Sequence, residues 1–129
     1  MQPGAVPRVL CVDDDADACE MLGLLLKFSD IETRTARTAH QALSLIEAER
    51  FDLYLLDSWL PDLDGFELCR RLRDLDPHTP ILFFSGAAYE TDKQRGMEAG
   101  ATDYVVKPDV ETVLGRIKEF VAPAEYAFA

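Results

Sequence analysis

The sequence predicts an α/β fold, a doubly wound sheet of five parallel strands covered by five helices. Three observations predict it. Five short apolar runs alternate with helix-length segments whose apolar residues recur every three or four positions. The third and fourth runs, DLYLL and ILFF, are almost wholly apolar, as central strands buried on both faces must be. Parallel neighbours need crossovers, and each crossover lays a helix on one face of the sheet.

The strands read at Arg8–Val12, Ile31–Ala36, Asp52–Leu56, Pro80–Phe84 and Asp103–Val106. The first helix starts near Asp15 and turns Cys19, Leu22, Leu25 and Leu26 inward. The second follows Thr38, a residue type that caps helix N-termini, and buries Ala39, Ala42, Leu43 and Ile46. The third runs from Gly65, buries Leu68, Cys69, Leu72 and Leu75, and is stopped by Asp76-Pro77. The fourth spans about residues 90–99 and ends at Gly100. Met97 is its only large apolar residue and Gly96 weakens it further, so it is expected to be the least firmly docked element. The fifth buries Val113, Leu114, Ile117 and Val121.

A chain of 129 residues suits one domain, read here as residues 8–121 with 1–7 and 122–129 as terminal extensions. No apolar run approaches the ~20 residues that span a bilayer, and the first ten residues lack a signal-peptide layout. A cytoplasmic, membrane-free location is therefore expected. The net charge of −11 repels nucleic acid and favours divalent cations near any carboxylate cluster. Cys11, Cys19 and Cys69 form no CxxC and read as small core residues.

In open α/β sheets the working site lies beyond the carboxyl ends of the strands, where the strand order reverses. Strand 1 ends in Asp13-Asp14-Asp15, strand 3 in Asp57, strand 4 in Ser85-Gly86 and strand 5 in Lys107-Pro108. Singly, each residue has a structural explanation: a helix cap, a turn, a satisfied hydroxyl, a solvated lysine. Together they place three carboxylates, a hydroxyl and an ammonium at one end of one sheet. Crowded carboxylates oppose folding unless a cation intervenes, and a hard oxygen set with room for water suits Mg²⁺. An ionised aspartate is a competent nucleophile toward phosphorus and needs no general base.

The sequence resembles the receiver domains of bacterial two-component response regulators. VLCVDDD, DLYLLDSWLPDLDGFEL, ILFFSG and GATDYVVKP occur in order and at family-like spacing, covering about Val9 to Val121. The resemblance implies the flavodoxin-like strand order 2-1-3-4-5. It implies Asp57 as phosphoacceptor, Mg²⁺ held by Asp14, Asp57 and the Trp59 carbonyl with Asp13 acting through a water, and Lys107 as the phosphate-pairing cation. Ser85 and Tyr104 become the switch pair, and the Lys107–Pro108 bond is expected to be cis. A sensor histidine kinase or phosphotransfer protein would supply the phosphoryl group. A downstream protein would read the face made by helix 4, strand 5 and helix 5, and a homodimer stays open.

Three residues depart from the family pattern: Ser58 where an apolar residue is usual, the large Trp59, and Asp109 after Lys-Pro. Two other readings are weaker. A dehalogenase-type hydrolase would match the Asp13-Asp14-Asp15 run, but needs a second downstream acidic pair and more chain. A non-phosphorylated receiver-like binding module would normally have lost one of the acids or the lysine, and all are present. The chain reads either as a stand-alone receiver or as the first domain of a longer protein.

Overall fold

The computed structural model describes residues 6–121. Five strands alternate with five helices: β1 Arg8–Val12, α1 Ala16–Lys27, β2 Glu32–Ala36, α2 Ala39–Ala48, β3 Leu53–Leu56, α3 Gly65–Leu75, β4 Ile81–Ser85, α4 Glu90–Glu98, β5 Asp103–Val106 and α5 Val110–Val121. The strands form one parallel sheet in the order β2-β1-β3-β4-β5, as expected. The order reverses between β1 and β3, so the crevice opens there.

Strand side chains alternate between the faces and divide the core in two. Leu10, Val12, Tyr54, Leu56, Ile81 and Phe83 meet α2, α3 and α4 on one side. Val9, Cys11, Leu53, Leu55, Leu82 and Phe84 meet α1 and α5 on the other. Every residue of β3 and β4 is buried, the physical counterpart of their apolar sequences. All three cysteines are free and buried, and burial pushes the Cys69 thiol up to about 11. Among the described residues, no helix is long and apolar enough to cross a membrane.

The helix ends follow side-chain chemistry. Asp15 caps α1 by accepting from the Asp17 and Ala18 amides, and Thr38 caps α2 through Gln41. Asp109, unusual in the sequence pattern, accepts from the Thr112 amide and hydroxyl at the start of α5. Gly100, at φ 112°, follows the end of α4.

Several core assignments are corrected. Leu75, the last residue of α3, is 65 % exposed; Phe66, in its first turn, is a buried anchor instead. Met97 is 49 % exposed and does not anchor α4. That helix docks through a small residue: a Cβ at Gly96 would lie 2.9 Å from the Tyr104 ring and 3.2 Å from Phe83. Hydrophobic spacing favours large side chains as anchors, whereas here a missing side chain permits the close approach. Leu25, Leu43, Ile46 and Leu114 are half-buried rather than fully buried.

Helix propensity alone would make any mid-helix Gly→Ala substitution stabilising by roughly 0.5–1 kcal/mol. Gly115, with open space around its Cβ position in α5, is expected to follow that rule. Gly96→Ala is expected to invert it, destabilising the fold by about 1–2 kcal/mol because the ring beneath α4 must give way. Urea denaturation of both variants checks the pair; stabilisation by Gly96→Ala would mean that α4 is not seated on Tyr104.

Candidate functional site

The site starts from sheet register. Val12 pairs with Leu56, and one residue further the Asp57 amide still donates to the Val12 carbonyl at 2.9 Å. Asp13 likewise donates from its backbone to Ala36 on β2 at 3.0 Å. Both acidic residues therefore leave the sheet side by side, their backbones already fixed. Carboxylate oxygens of Asp13, Asp14 and Asp57 lie within 4.8 Å of one another, with Asp13 buried, Asp57 half-buried and Asp14 exposed.

Charges this close repel by roughly 3–4 kcal/mol per pair at a protein surface. Lys107 relieves part of it. Its Nζ donates to Asp13 Oδ2 at 2.6 Å and stands 3.9 Å from Asp57 Oδ2. Burial alone would pull the Lys107 pKa down, but the hydrogen bond to Asp13 and the Asp57 charge outweigh it and hold the pKa up, so the ammonium stays charged. One cation cannot neutralise three anions. The remaining charge and the all-oxygen donor set fit a hard divalent cation that keeps waters, and Asp14 is open to solvent for it.

A tight loop holds Asp57 in place. Ser58 N–H donates to Asp57 Oδ1, and the Gly65 amide returns to the Ser58 carbonyl at 2.9 Å. A Cβ on Gly65 would fall 2.2 Å from the Asp57 carbonyl oxygen, so only glycine lets α3 start this close to Asp57. Asp62 fixes the middle of the same loop by accepting from the Ala39 and His40 amides at the start of α2. The Trp59 side chain is 75 % exposed.

Opposite the acids, β4 delivers Ser85, fully buried, and the Lys107 amide donates to its carbonyl. Ser85 Oγ accepts from the Ala87 amide at 3.1 Å and is hydrogen-bonded to Ser58 Oγ. Tyr104 stacks on Phe83 with ring centroids 5.3 Å apart and donates its hydroxyl to the Ala87 carbonyl at 2.6 Å. Burial pushes the Tyr104 pKa up, opposed by the neighbouring Ser85 and Ser58 hydroxyls. The Lys107–Pro108 peptide is cis. Asp13, Asp14, Asp57 and Lys107 thus lie together, Ser85 and Tyr104 are linked through Ala87, and the Trp59 side chain is exposed to solvent. Ser58 stood out in the sequence only as a departure from the family pattern and was given no role: its polarity in an otherwise apolar frame was the only signal, and its partner is 27 positions away.

Comparisons with known proteins agree with this geometry. A family model described as the response regulator receiver domain matches residues 9–118. The chain is 38 % identical over 112 residues to the response regulator MprA of Mycolicibacterium vanbaalenii, covering 86 % of this chain and 48 % of that protein. It spans about half the length of the curated relatives it matches. A CheY-like receiver domain protein from Methanospirillum hungatei superimposes with a TM-score of 0.84 at 34 % identity, covering 89 % of this chain and 93 % of that one. The BeF3-activated receiver domain of DrrB, a Thermotoga maritima protein, gives 0.84 at 30 % identity, covering 92 % and 100 %.

The crowding has a measurable consequence. Burial raises the Asp57 pKa, the Lys107 charge opposes it, the Asp13 charge reinforces it and hydrogen bonds from Ser58 and Ser85 oppose it; the balance is upward. A carboxyl with a higher pKa folded than unfolded adds stability below its unfolded pKa and loses it as pH rises through the folded value. Without added metal, Asp57→Asn is therefore expected to be more stable than wild type at neutral pH, by less than about 1 kcal/mol after solvent screening. The gap should close as pH falls below about 4. Denaturant titrations across that range check it, and a gap that ignored pH would contradict the assigned cause.

Proposed function

Because the chain belongs to the response regulator receiver family of two-component signalling, we propose that Asp57 is its phosphoacceptor and that the acceptor works with Mg²⁺ held at the acidic cluster. The observation that carries the reading is the convergence of Asp13, Asp14 and Asp57 at neighbouring strand ends, faced by Lys107 and Ser85. Asp14 and Asp57 would ligate the metal with the Trp59 carbonyl, and Asp13 would act through a bound water. When bound, Mg²⁺ supplies neutralisation of the negative phosphoryl oxygens.

The residues of the chain do the rest. An Asp57 carboxylate oxygen forms the new O–P bond as the P–N bond of a phosphohistidine breaks, the electron pair leaving with the imidazole. Catalysis of this kind is positioning and charge stabilisation more than bond chemistry. Lys107, kept charged by Asp13, lies within reach of Asp57 and pairs with the transferred group. Ser85 offers a hydroxyl from the opposite wall. Movement of Ser85 toward the phosphoryl group would pull on the Ala87 amide, and Ala87 also binds the Tyr104 hydroxyl. Tyr104 supports α4 at Gly96, so the face of α4, β5 and α5 is where a downstream protein would sense the change. The donor would be a sensor histidine kinase or a phosphotransfer protein, and the acidic chain makes nucleic acid a poor partner for this domain.

Two measurements test the reading. Acetyl phosphate with Mg²⁺ is expected to add one phosphoryl group, and Asp57→Asn to abolish the addition; undiminished labelling of that variant would move the nucleophile, with Asp13 the first suspect. Mg²⁺ at a hundredfold excess over Kd should stabilise the fold by about 2.7 kcal/mol through linkage. Retention of the full metal-induced shift by an Asp14→Ala, Asp57→Ala variant would rule out the site.

Trp59 gives an independent prediction. Its ligand atom is backbone, while its exposed indole stands two residues past the acceptor. Trp59→Ala is expected to leave Mg²⁺ binding nearly unchanged and to shorten the phosphoryl half-life, because an indole beside the mouth restricts the in-line water that hydrolysis needs. As the sole tryptophan it should report Mg²⁺ or beryllofluoride binding by fluorescence quenching. An unchanged dephosphorylation rate together with silent fluorescence would remove it from the mechanism.

A further inference from the structure

Ser58 follows the acceptor directly, and its side chain, like that of Ser85, is 1 % exposed. An apolar group would fill that space with no polar atom to satisfy. Instead its hydroxyl hydrogen-bonds Ser85 Oγ across the cleft. Ser85 Oγ also accepts from the Ala87 amide, and the Ala87 carbonyl accepts from Tyr104. Ser58 is therefore linked by hydrogen bonds to Ser85 and Ala87, and through the Ala87 backbone to Tyr104 on β5.

We propose that Ser58 is a positioning residue for phosphoryl transfer, its hydroxyl donating to Ser85 Oγ so that the Ser85 O–H stays turned toward Asp57. The proposal rests on the reading of Asp57 as phosphoacceptor. The proposed direction matters for what it leaves free on Ser85. A serine hydroxyl has one proton and two lone pairs. Ser85 accepts from the Ala87 amide with one lone pair and from Ser58 with the other, which leaves its own proton free for the Asp57 carboxylate or for a phosphoryl oxygen on it. The reverse direction would spend that proton on Ser58 and leave the acceptor facing a lone pair. A hydroxyl that accepts a hydrogen bond is also polarised into a stronger donor. Such a donor, its O–H already turned toward the carboxylate before Ser85 moves, acts where negative charge develops on the transferring group. The Ser58 amide, bonded to Asp57 Oδ1 at 2.9 Å, keeps the side chain beside the carboxylate that it serves.

The test is a double-mutant cycle on the whole 129-residue chain, with Mg²⁺ and phosphoramidate as the donor and intact mass as the readout. Ser58→Ala is expected to lower the maximal phosphorylation rate about three- to tenfold, the scale of one hydrogen bond, while the half-saturating donor concentration changes by less than about twofold. In a Ser85→Ala background the same substitution should change the rate by less than about twofold. An undiminished rate in Ser58→Ala, or an equal loss in both backgrounds, would overturn the proposal. The same four proteins are compared by urea denaturation without donor. There the two substitutions should be non-additive, and additive losses would overturn the Ser58–Ser85 coupling whatever the chemistry at Asp57. A wild-type chain that took up no phosphoryl group would sink the acceptor reading and with it the role in transfer; the denaturation cycle alone would then decide whether the hydrogen bond exists.

Discussion

Lys107 reaches from the end of β5 to the far side of the crevice, where its ammonium binds Asp13 and faces Asp57. Much of the molecule is arranged around that contact. Two carboxylates placed side by side by sheet register would push the strand ends apart, and register offers no way to separate them. A cation arriving from two strands away offsets part of the repulsion and stitches β5 to β1 at the mouth. It leaves a negative remainder at Asp14, on the side open to water. The fold thus tolerates an acidic cleft without neutralising it, and that imbalance suits the cleft to hold a cation.

The same economy of space recurs in the loops. Asp57 is held by a backbone bond to β1, by the Ser58 amide and by a helix start that only a glycine permits. These restraints act on main chain and need no bulky side chains. Reactive side chains can then sit half-buried at the surface without the loop packing that would shut the cleft. On the opposite face, α4 is fastened by Gly96 over Tyr104 and by the Arg95 guanidinium 4.3 Å above the Phe66 ring, with an ion pair from Arg95 to Asp64. Contacts of this kind are shallow. A helix fixed by close approach and surface charge moves more easily than one nailed down by buried leucines.

Hydroxyl chemistry connects the two regions. Ser85 is bonded toward the acceptor loop through Ser58 and toward β5 through Ala87 and Tyr104. Tyr104 in turn stacks on Phe83, which packs against Phe66 of α3. A change at Asp57 therefore has a route of direct contacts to α4 and β5. Helices α1 and α5 share the other core.

Sequence by itself determined the strands, the helices, the caps of the first two helices and the chemical types at the strand ends. These are local properties: period-two and period-3.6 patterns, cap residues, and runs bounded by turns. It also marked Asp13, Asp14, Asp57, Ser85 and Lys107, because the ends of parallel strands must gather at one edge. Tertiary structure alone decided what each of them touches. The choice of Asp13 over Asp57 as the closer Lys107 partner depends on how far a side chain reaches across two strands. The anchoring of α4 by Gly96 rather than Met97 depends on a ring delivered by β5, which no helix pattern records. Ser58 looked like a polar intrusion because its partner is 27 residues away; a hydrogen bond across a sheet leaves no periodicity in the chain, only two hydroxyls that fold into reach of each other.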